Sequence, residues 1–430
     1  MGTGSAVKSV TWPIEEAVSV VTPLLKFREP ADGVLSAWFK AHKTGSRERA
    51  FIAETAYAVL RRKRFLECLL QDEMTPRRCV LATLLFVQGL SQRQLMDSVS
   101  PGLAKWLVAL KARVTENPPV LTPAEQTDLP DWLYDRLLTH FAPESLLTLA
   151  RALNQPAPLD IRVNPTKATR EEVLSQLTRE GFDIELCPYS PMGLRIKGKP
   201  YIARHHLYLE GRFEVQDEGS QLLGYLLAPK RGEMVVDFCA GAGGKTLLLG
   251  ALMRSTGRLY AFDVSDKRLA KLKPRLARSG LSNVHPACIA NENDLRIKRL
   301  AGKIDRVLID APCSGLGTLR RNPDLKWRQT PESIVELSHK QAAILVGASR
   351  LVRPGGRNVY ATCSLLTDEN EAIVDAFLAA HNEFVRISAA EILKAQGIAC
   401  GEQGGDDFHL LPSTHGTDGF YAAVLEKRAG

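Results

Sequence analysis

Long apolar runs are missing from this chain of 430 residues. No stretch reaches the roughly eighteen consecutive apolar residues that a membrane-spanning helix needs, and the polar start from Met1 to Thr11 lacks the apolar core of a secretory signal. Close cysteine pairs are missing too. The eight cysteines, Cys68, Cys79, Cys187, Cys239, Cys288, Cys313, Cys363 and Cys400, stand apart, with no CxxC and no histidines at finger-like spacing. That pattern excludes a structural zinc framework, and no metal is expected. There is no internal repeat and no long low-complexity tract. These absences point to a cytoplasmic protein in a reducing compartment, where free thiols can serve as nucleophiles. What is present is a formal net charge of +8 with 45% hydrophobic and 24% charged residues, an ordinary globular composition whose basic balance favours a polyanionic partner. The length suffices for two or three domains.

Up to residue 153 the apolar residues recur at helical spacing, as in Phe51, Thr55, Ala58, Val59 and Leu66, and Pro30, Pro76, Pro101 and Pro143 stand where helices should begin. This part reads as a helical domain, 1–153. Its basic run Arg61-Arg62-Lys63-Arg64 suits either phosphate contact or an ordinary solvated helix face. Residues 154–210 mix short strands (159–163, 182–186, 194–196) with a helix at 169–180, a small α+β insert. From 211 to 430 strand, turn and helix alternate: strand 234–239 with helix 245–254, strand 259–263 with helix 266–279, strands 284–289 and 306–310, then strand 358–361 with helix 368–381. Such alternation predicts a doubly wound α/β domain, a mostly parallel Rossmann-like sheet with helices on both faces.

The first strand of that sheet runs into Cys239-Ala240-Gly241-Ala242-Gly243-Gly244-Lys245-Thr246, a glycine-rich turn that opens a helix and offers backbone amides to a ligand. The ending imitates a P-loop, but the first glycine of GxxxxGK[ST] would fall at position 239, which is cysteine, so a nucleoside triphosphatase is disfavoured. The second strand ends at Asp263, about twenty residues on, where a carboxylate can accept from both hydroxyls of a ribose. A nucleoside cofactor fits; so does a dinucleotide, and an acidic residue there also serves as a plain helix cap. Asn291, Asn293 and Asp294 follow the third strand and stand where an adenine edge would lie.

Two thiols follow hydrophobic strands: Cys313 in Asp310-Ala311-Pro312-Cys313-Ser314-Gly315, and Cys363 in Thr362-Cys363-Ser364, about fifty residues further on. The carboxyl ends of neighbouring parallel strands converge on one crevice, so these thiols can meet. Free cysteines are more often buried and inert. A thiolate adding to carbon 6 of cytosine, however, makes carbon 5 nucleophilic toward a sulfonium methyl donor, and a carboxyl group near N3, here Asp310, stabilises the adduct. Downstream, Arg320, Arg321, Lys326 and Arg328 flank Trp327, a set suited to phosphates and a stacked base or to core packing.

In order and spacing, the stretch 214–371 resembles the Nop/Sun class of RNA (cytosine-5) methyltransferases. The resemblance rests on Val215-Gln216-Asp217-Glu218-Gly219-Ser220-Gln221, the glycine turn with Lys245, Asp-Ala-Pro-Cys-Ser-Gly, Gln341 to Leu345, Pro354-Gly355-Gly356, and Tyr360-Ala361-Thr362-Cys363-Ser364 followed by Glu369-Asn370-Glu371. It extends outward to Asp160-Ile161-Arg162-Val163-Asn164 and Asp418-Gly419-Phe420-Tyr421. The helical part resembles, by pattern, the antitermination-factor-like RNA-binding domain of the bacterial small-subunit rRNA methyltransferase B branch. The resemblance implies S-adenosyl-L-methionine as cofactor, held by Cys239 to Lys245, Asp263, Arg268, Asn291 and Asp310. It implies Cys363 as nucleophile, Cys313 in breakdown of the covalent adduct, Asp310 beside the base, and RNA, foremost small-subunit rRNA, as substrate, with no membrane and no stable protein partner. Two positions depart from the family: Ala242 stands where proline is usual, and Asn291 where aspartate is, with Asp294 a possible substitute. A transfer RNA substrate, a DNA cytosine-5 methyltransferase using Pro312-Cys313, and a noncatalytic RNA-binding assembly factor are the alternatives.

Overall fold

In a computed structural model the chain divides into two compact units, 1–155 with 319–330, and 156–318 with 331–430. The structure describes residues 13–198, 200–400 and 405–429. The polar start read against a signal peptide lies outside them. No helix among the described residues is long and apolar enough to cross a membrane.

The first unit is helical. Its helices include Ile14–Leu24, Ala31–Ala41, Ser46–Arg61, Lys63–Leu70, Pro101–Glu116 and Pro143–Leu153. Pro76, Pro101 and Pro143 occupy first-turn positions, where a missing N–H costs nothing, and Pro30 caps the second helix. Of the residues at helical spacing, Thr55, Val59 and Leu66 are fully buried and Phe51 and Ala58 half-buried, while Ile52 and Ala56 complete the inward face.

The basic residues of this unit point inward more than the charge pattern suggests. Arg61 is buried and donates to the Arg320 carbonyl, Arg62 pairs at 2.8 Å with the fully buried Asp128, and Arg64 bonds Asp131 and the Leu129 carbonyl. Lys326 is buried too, donating to the Arg61 carbonyl and to Asn154 Oδ1, and burial pulls its ammonium down to about 7. The Trp327 indole donates to the Leu60 carbonyl and packs near Phe27. Of residues 320–328, read as suited to phosphates and a stacked base or to core packing, Lys326 and Trp327 take the packing alternative, as internal fasteners of the helical unit.

The strands of the second unit, among the described residues, form two sheets. The smaller takes β1 (Leu159–Val163), β2 (Ile184–Leu186), β3 (Gly193–Ile196) and β4 (Phe213–Val215) in the order β2-β3-β1-β4, all antiparallel, with the helix Arg170–Arg179 between β1 and β2. The larger takes β5 (Met234–Asp237), β6 (Arg258–Asp263), β7 (Val284–Cys288), β8 (Ile304–Asp310), β9 (Val352–Thr362), β10 (Phe384–Ile387), β11 (Phe408–Leu410) and β12 (Phe420–Lys427). Its order is β10-β12-β9-β8-β5-β6-β7, with β11 also on β12. The run from β9 to β7 is parallel and the strands beyond β9 are antiparallel. This is the Rossmann-like arrangement expected, with an antiparallel edge that the strand-helix alternation did not reveal. The carboxyl ends of β5, β6, β8 and β9 therefore stand side by side, as the crevice rule for parallel sheets requires.

Candidate active site

Four strand ends supply the site. β5 ends in Asp237, β6 in Asp263, β8 in Asp310, and β9 in Thr362 with Cys363 one residue beyond. Between them lies a cavity of about 440 Å³ lined by Cys239, Asp263, Arg268, Asn291, Asp310, Cys313 and Cys363, among others. Every residue of the sequence-derived cofactor set outside the turn 240–245 therefore faces one space. Ala240 to Lys245 are not among the residues that line it; Gly243 has φ +84°, and a Cβ there would meet Leu272 Cδ1 at 2.1 Å. Only glycine fits.

With alanine at 242, the turn lacks the stiffening of a proline ring. It is braced from outside instead, by Arg275, which donates to the Ala242 carbonyl at 2.7 Å, and by buried Arg162, which donates to the Gly244 carbonyl at 2.8 Å. From inside, the Asp263 carboxylate accepts from Gly241 N and Ser265 N, both at 2.8 Å, and pairs with half-exposed Arg268 at 3.3 Å. A carboxylate has about four lone-pair sites, so Asp263 keeps capacity for a hydroxyl donor from the cavity. An acid on the strand next to a glycine turn is the donor set that suits an adenosine ribose, and the residues fit S-adenosylmethionine in this respect.

The residues after β7 sort themselves. Asn291 and Glu292 line the cavity, the latter unforeseen from sequence. Asp294 instead caps the short helix Leu295–Arg299, accepting from Ala290 N and Arg296 N, bonds that hold its carboxyl below the usual range. It is engaged as a cap and does not line the cavity, whereas Asn291 does. Ile289, Lys340 and Ile344 also line the space; only position, not residue type, could have indicated them.

At the other end of the cavity the two thiols meet, Cys313 Sγ lying 3.3 Å from Cys363 Sγ and accepting the Cys363 N–H at 3.3 Å. Contact with the Cys363 thiol, then burial, raises the Cys313 thiol well above its ordinary value. Lys245 Nζ reaches Asp310 Oδ2 at 2.7 Å. Burial opposes its charge, but Asp310, then the Cys363 sulfur, hold it protonated above the usual lysine value. Gly317 lets the loop beyond Cys313 pass close: its N–H donates to the Cys363 carbonyl at 2.8 Å, and a Cβ there would lie 2.3 Å from the Gly419 carbonyl oxygen.

Comparison with known proteins places this geometry. A family model described as 16S rRNA methyltransferase RsmB/F matches residues 224–426, and one described as the RsmF/B-like ferredoxin-like domain matches 129–202. A probable ribosomal RNA small subunit methyltransferase B from Synechocystis sp. is 33% identical over 429 residues, covering 92% of this chain and 95% of its own. The crystal structure of PH0851 matches with a TM-score of 0.78 and 27% identity, covering 98% of this chain and 100% of that one. A methyltransferase homologue from Pyrococcus horikoshii matches with a TM-score of 0.60 and 27% identity over 71% of this chain and 97% of its own.

Proposed function

Since this chain belongs to the 16S rRNA methyltransferase RsmB/F family and is thereby an S-adenosylmethionine-dependent RNA methyltransferase, we propose that it methylates carbon 5 of a cytosine in small-subunit rRNA through a covalent adduct on Cys363. The observation that carries the reading is the pair of thiols in contact at 3.3 Å on the wall of the cavity that Asp263 and Asp310 also line. Bound S-adenosylmethionine supplies an electrophilic sulfonium methyl. Asp263, the braced glycine turn and the cavity residues Arg268 and Asn291 hold it.

The nucleophilic form of Cys363 is its thiolate. That thiolate attacks carbon 6 of the base, breaking the 5,6 double bond and placing electron density on carbon 5, which takes the methyl group. The Lys245–Asp310 pair offers a donor and an acceptor to the polar edge of the base. Release needs the carbon 5 proton removed and the Cys363–carbon 6 bond broken, with the electron pair returning to sulfur. Cys313 is the group placed to accept that proton. It does so as a thiolate, its own proton having left to solvent first; in the free protein, contact with the Cys363 thiol, then burial, holds that proton. A DNA-type mechanism would start from Cys313 and leaves Cys363 without a task. The compartment that suits this chemistry is the cytoplasm, and we assign the helical domain 1–153 and the insert 154–210 to RNA binding and 211–430, apart from the segment 319–330 that folds with the helical unit, to catalysis.

Bisulfite sequencing of total RNA from cells with and without the protein tests the proposal. The expected result is loss of a protected cytosine in small-subunit rRNA. Loss in transfer RNA alone would move the substrate, and an unchanged pattern would favour a noncatalytic assembly factor.

A further inference from the structure

The two reacting loops arise from different strands and are tied to each other where Gly317 N–H donates to the Cys363 carbonyl at 2.8 Å and where Ser314 Oγ meets Ser364 Oγ at 3.2 Å. Cys313 follows β8 and Cys363 follows β9; each is succeeded by a serine, Ser314 and Ser364. Both serines are buried, and both turn toward one carboxylate. Glu369, fully buried, accepts from Ser314 N at 2.8 Å and from Ser314 Oγ at 2.5 Å, and its second contact through the same oxygen is the Ser364 hydroxyl. Gln341 Nε2 donates to its other oxygen at 3.0 Å and to the Pro312 carbonyl at 3.0 Å. The Glu369 carbonyl in turn receives the Tyr360 hydroxyl at 2.6 Å.

A carboxylate out of contact with water is costly unless its lone pairs are filled, and here four donors fill them. All four belong to the two thiol loops or to the helix Pro331–Ser349 behind them. Moving either loop strips donors from a buried charge, which is the penalty that makes such a site rigid. We infer that Glu369 is the positioning residue that fixes the Cys313–Cys363 separation, joining the residue next to each thiol through a single carboxylate. It touches no reacting atom. The functional half of this inference rests on the reading of Cys313 and Cys363 as the reacting thiols; the geometric half does not.

The chemistry of the four donors separates shape from charge. In Glu369→Gln the amide oxygen can still accept from Ser314 N and Gln341, while the amide nitrogen donates to the two serine hydroxyls, which rotate to accept. In Glu369→Ala all four bonds go.

Two readouts on the full-length protein decide. Diamide, which takes up two hydrogens as two thiols become a disulfide, reports how readily Cys313 and Cys363 meet, read by peptide mapping. Methylation kinetics on small-subunit rRNA report their use. Glu369→Ala is expected to slow cross-linking and to lower kcat by about a hundred-fold, the scale of a roughly 1 Å misplacement, with S-adenosylmethionine affinity unchanged. Glu369→Gln should cross-link at the wild-type rate and keep most of kcat. Wild-type cross-linking and kcat in Glu369→Ala would overturn the inference, as would a Glu369→Gln variant no better than the alanine. If Glu369→Ala does not fold, the double variant Ser314→Ala/Ser364→Ala, which removes both hydroxyl anchors, should show the same split, and wild-type behaviour there overturns it. Should the wild type cross-link in a Glu369-dependent way yet methylate no RNA, the positioning role stands and the methyltransferase reading falls.

Discussion

At Asp263 one carboxylate closes two backbone turns, accepting from Gly241 N of the glycine turn and from Ser265 N at the start of the next helix. Its remaining capacity faces the cavity. Hydrogen bonds to a charged acceptor are worth about 1.5 to 3 kcal/mol, so Asp263→Ala should weaken S-adenosylmethionine binding by about ten- to a hundred-fold in calorimetry. Unchanged affinity would remove Asp263 from the cofactor site. Asp263, Cys313 and Cys363 were legible as positions because each stands at or just after a hydrophobic strand, whose end in a parallel sheet has a known destination, and the motif resemblance gave the two cysteines their roles. Glu369 was not. It stood out only as part of the Glu369-Asn370-Glu371 motif, with no role attached, and its partners, 55 residues away at Ser314 and 28 away at Gln341, meet it only in the folded chain.

Among the elements, β5 shows how position alone can change a side chain's chemistry. Val235 and Val236 fill the cores on the two faces of the sheet, and the strand then delivers Asp237 into a buried position where its Oδ1 has no hydrogen-bond partner among the described residues. Burial pushes that carboxyl up from 3.8 to about 7, although Thr246 donates to its other oxygen. An acid raised in this way contributes stability that is fully present below its unfolded value and is lost as pH rises through the folded one. Between pH 3.8 and about 7 the wild type should therefore lose stability relative to Asp237→Asn, by at most about 4 kcal/mol. Denaturant unfolding of both proteins across that range checks it; a difference that stays flat with pH would contradict the assignment. The alternation of strands and helices was readable from hydrophobic periodicity. The antiparallel edge of β10, β11 and β12 was not, because strand direction is set by connections and pairing rather than by local pattern.

For the molecule as a whole, composition indicated a polyanionic partner, and membership of an rRNA methyltransferase family agrees with it. Which charges serve that partner was beyond the sequence. Arg62 belongs to Asp128 and Lys326 to the Arg61 carbonyl, the latter 265 residues away, so a basic run that suited either phosphate contact or a solvated helix face turns out to be largely internal to the helical unit. A formal charge in a sequence carries no record of its partner.

The central claim is that the two thiols in contact act at different steps, Cys363 forming the adduct and Cys313 helping to dissolve it. Denaturing gels with labelled small-subunit RNA and S-adenosylmethionine read this directly. Cys363→Ala should show neither methylation nor a covalent complex, and Cys313→Ala should accumulate a denaturant-resistant protein–RNA adduct because elimination stalls. An adduct that persists in Cys363→Ala and vanishes in Cys313→Ala would contradict the assignment and make Cys313 the nucleophile.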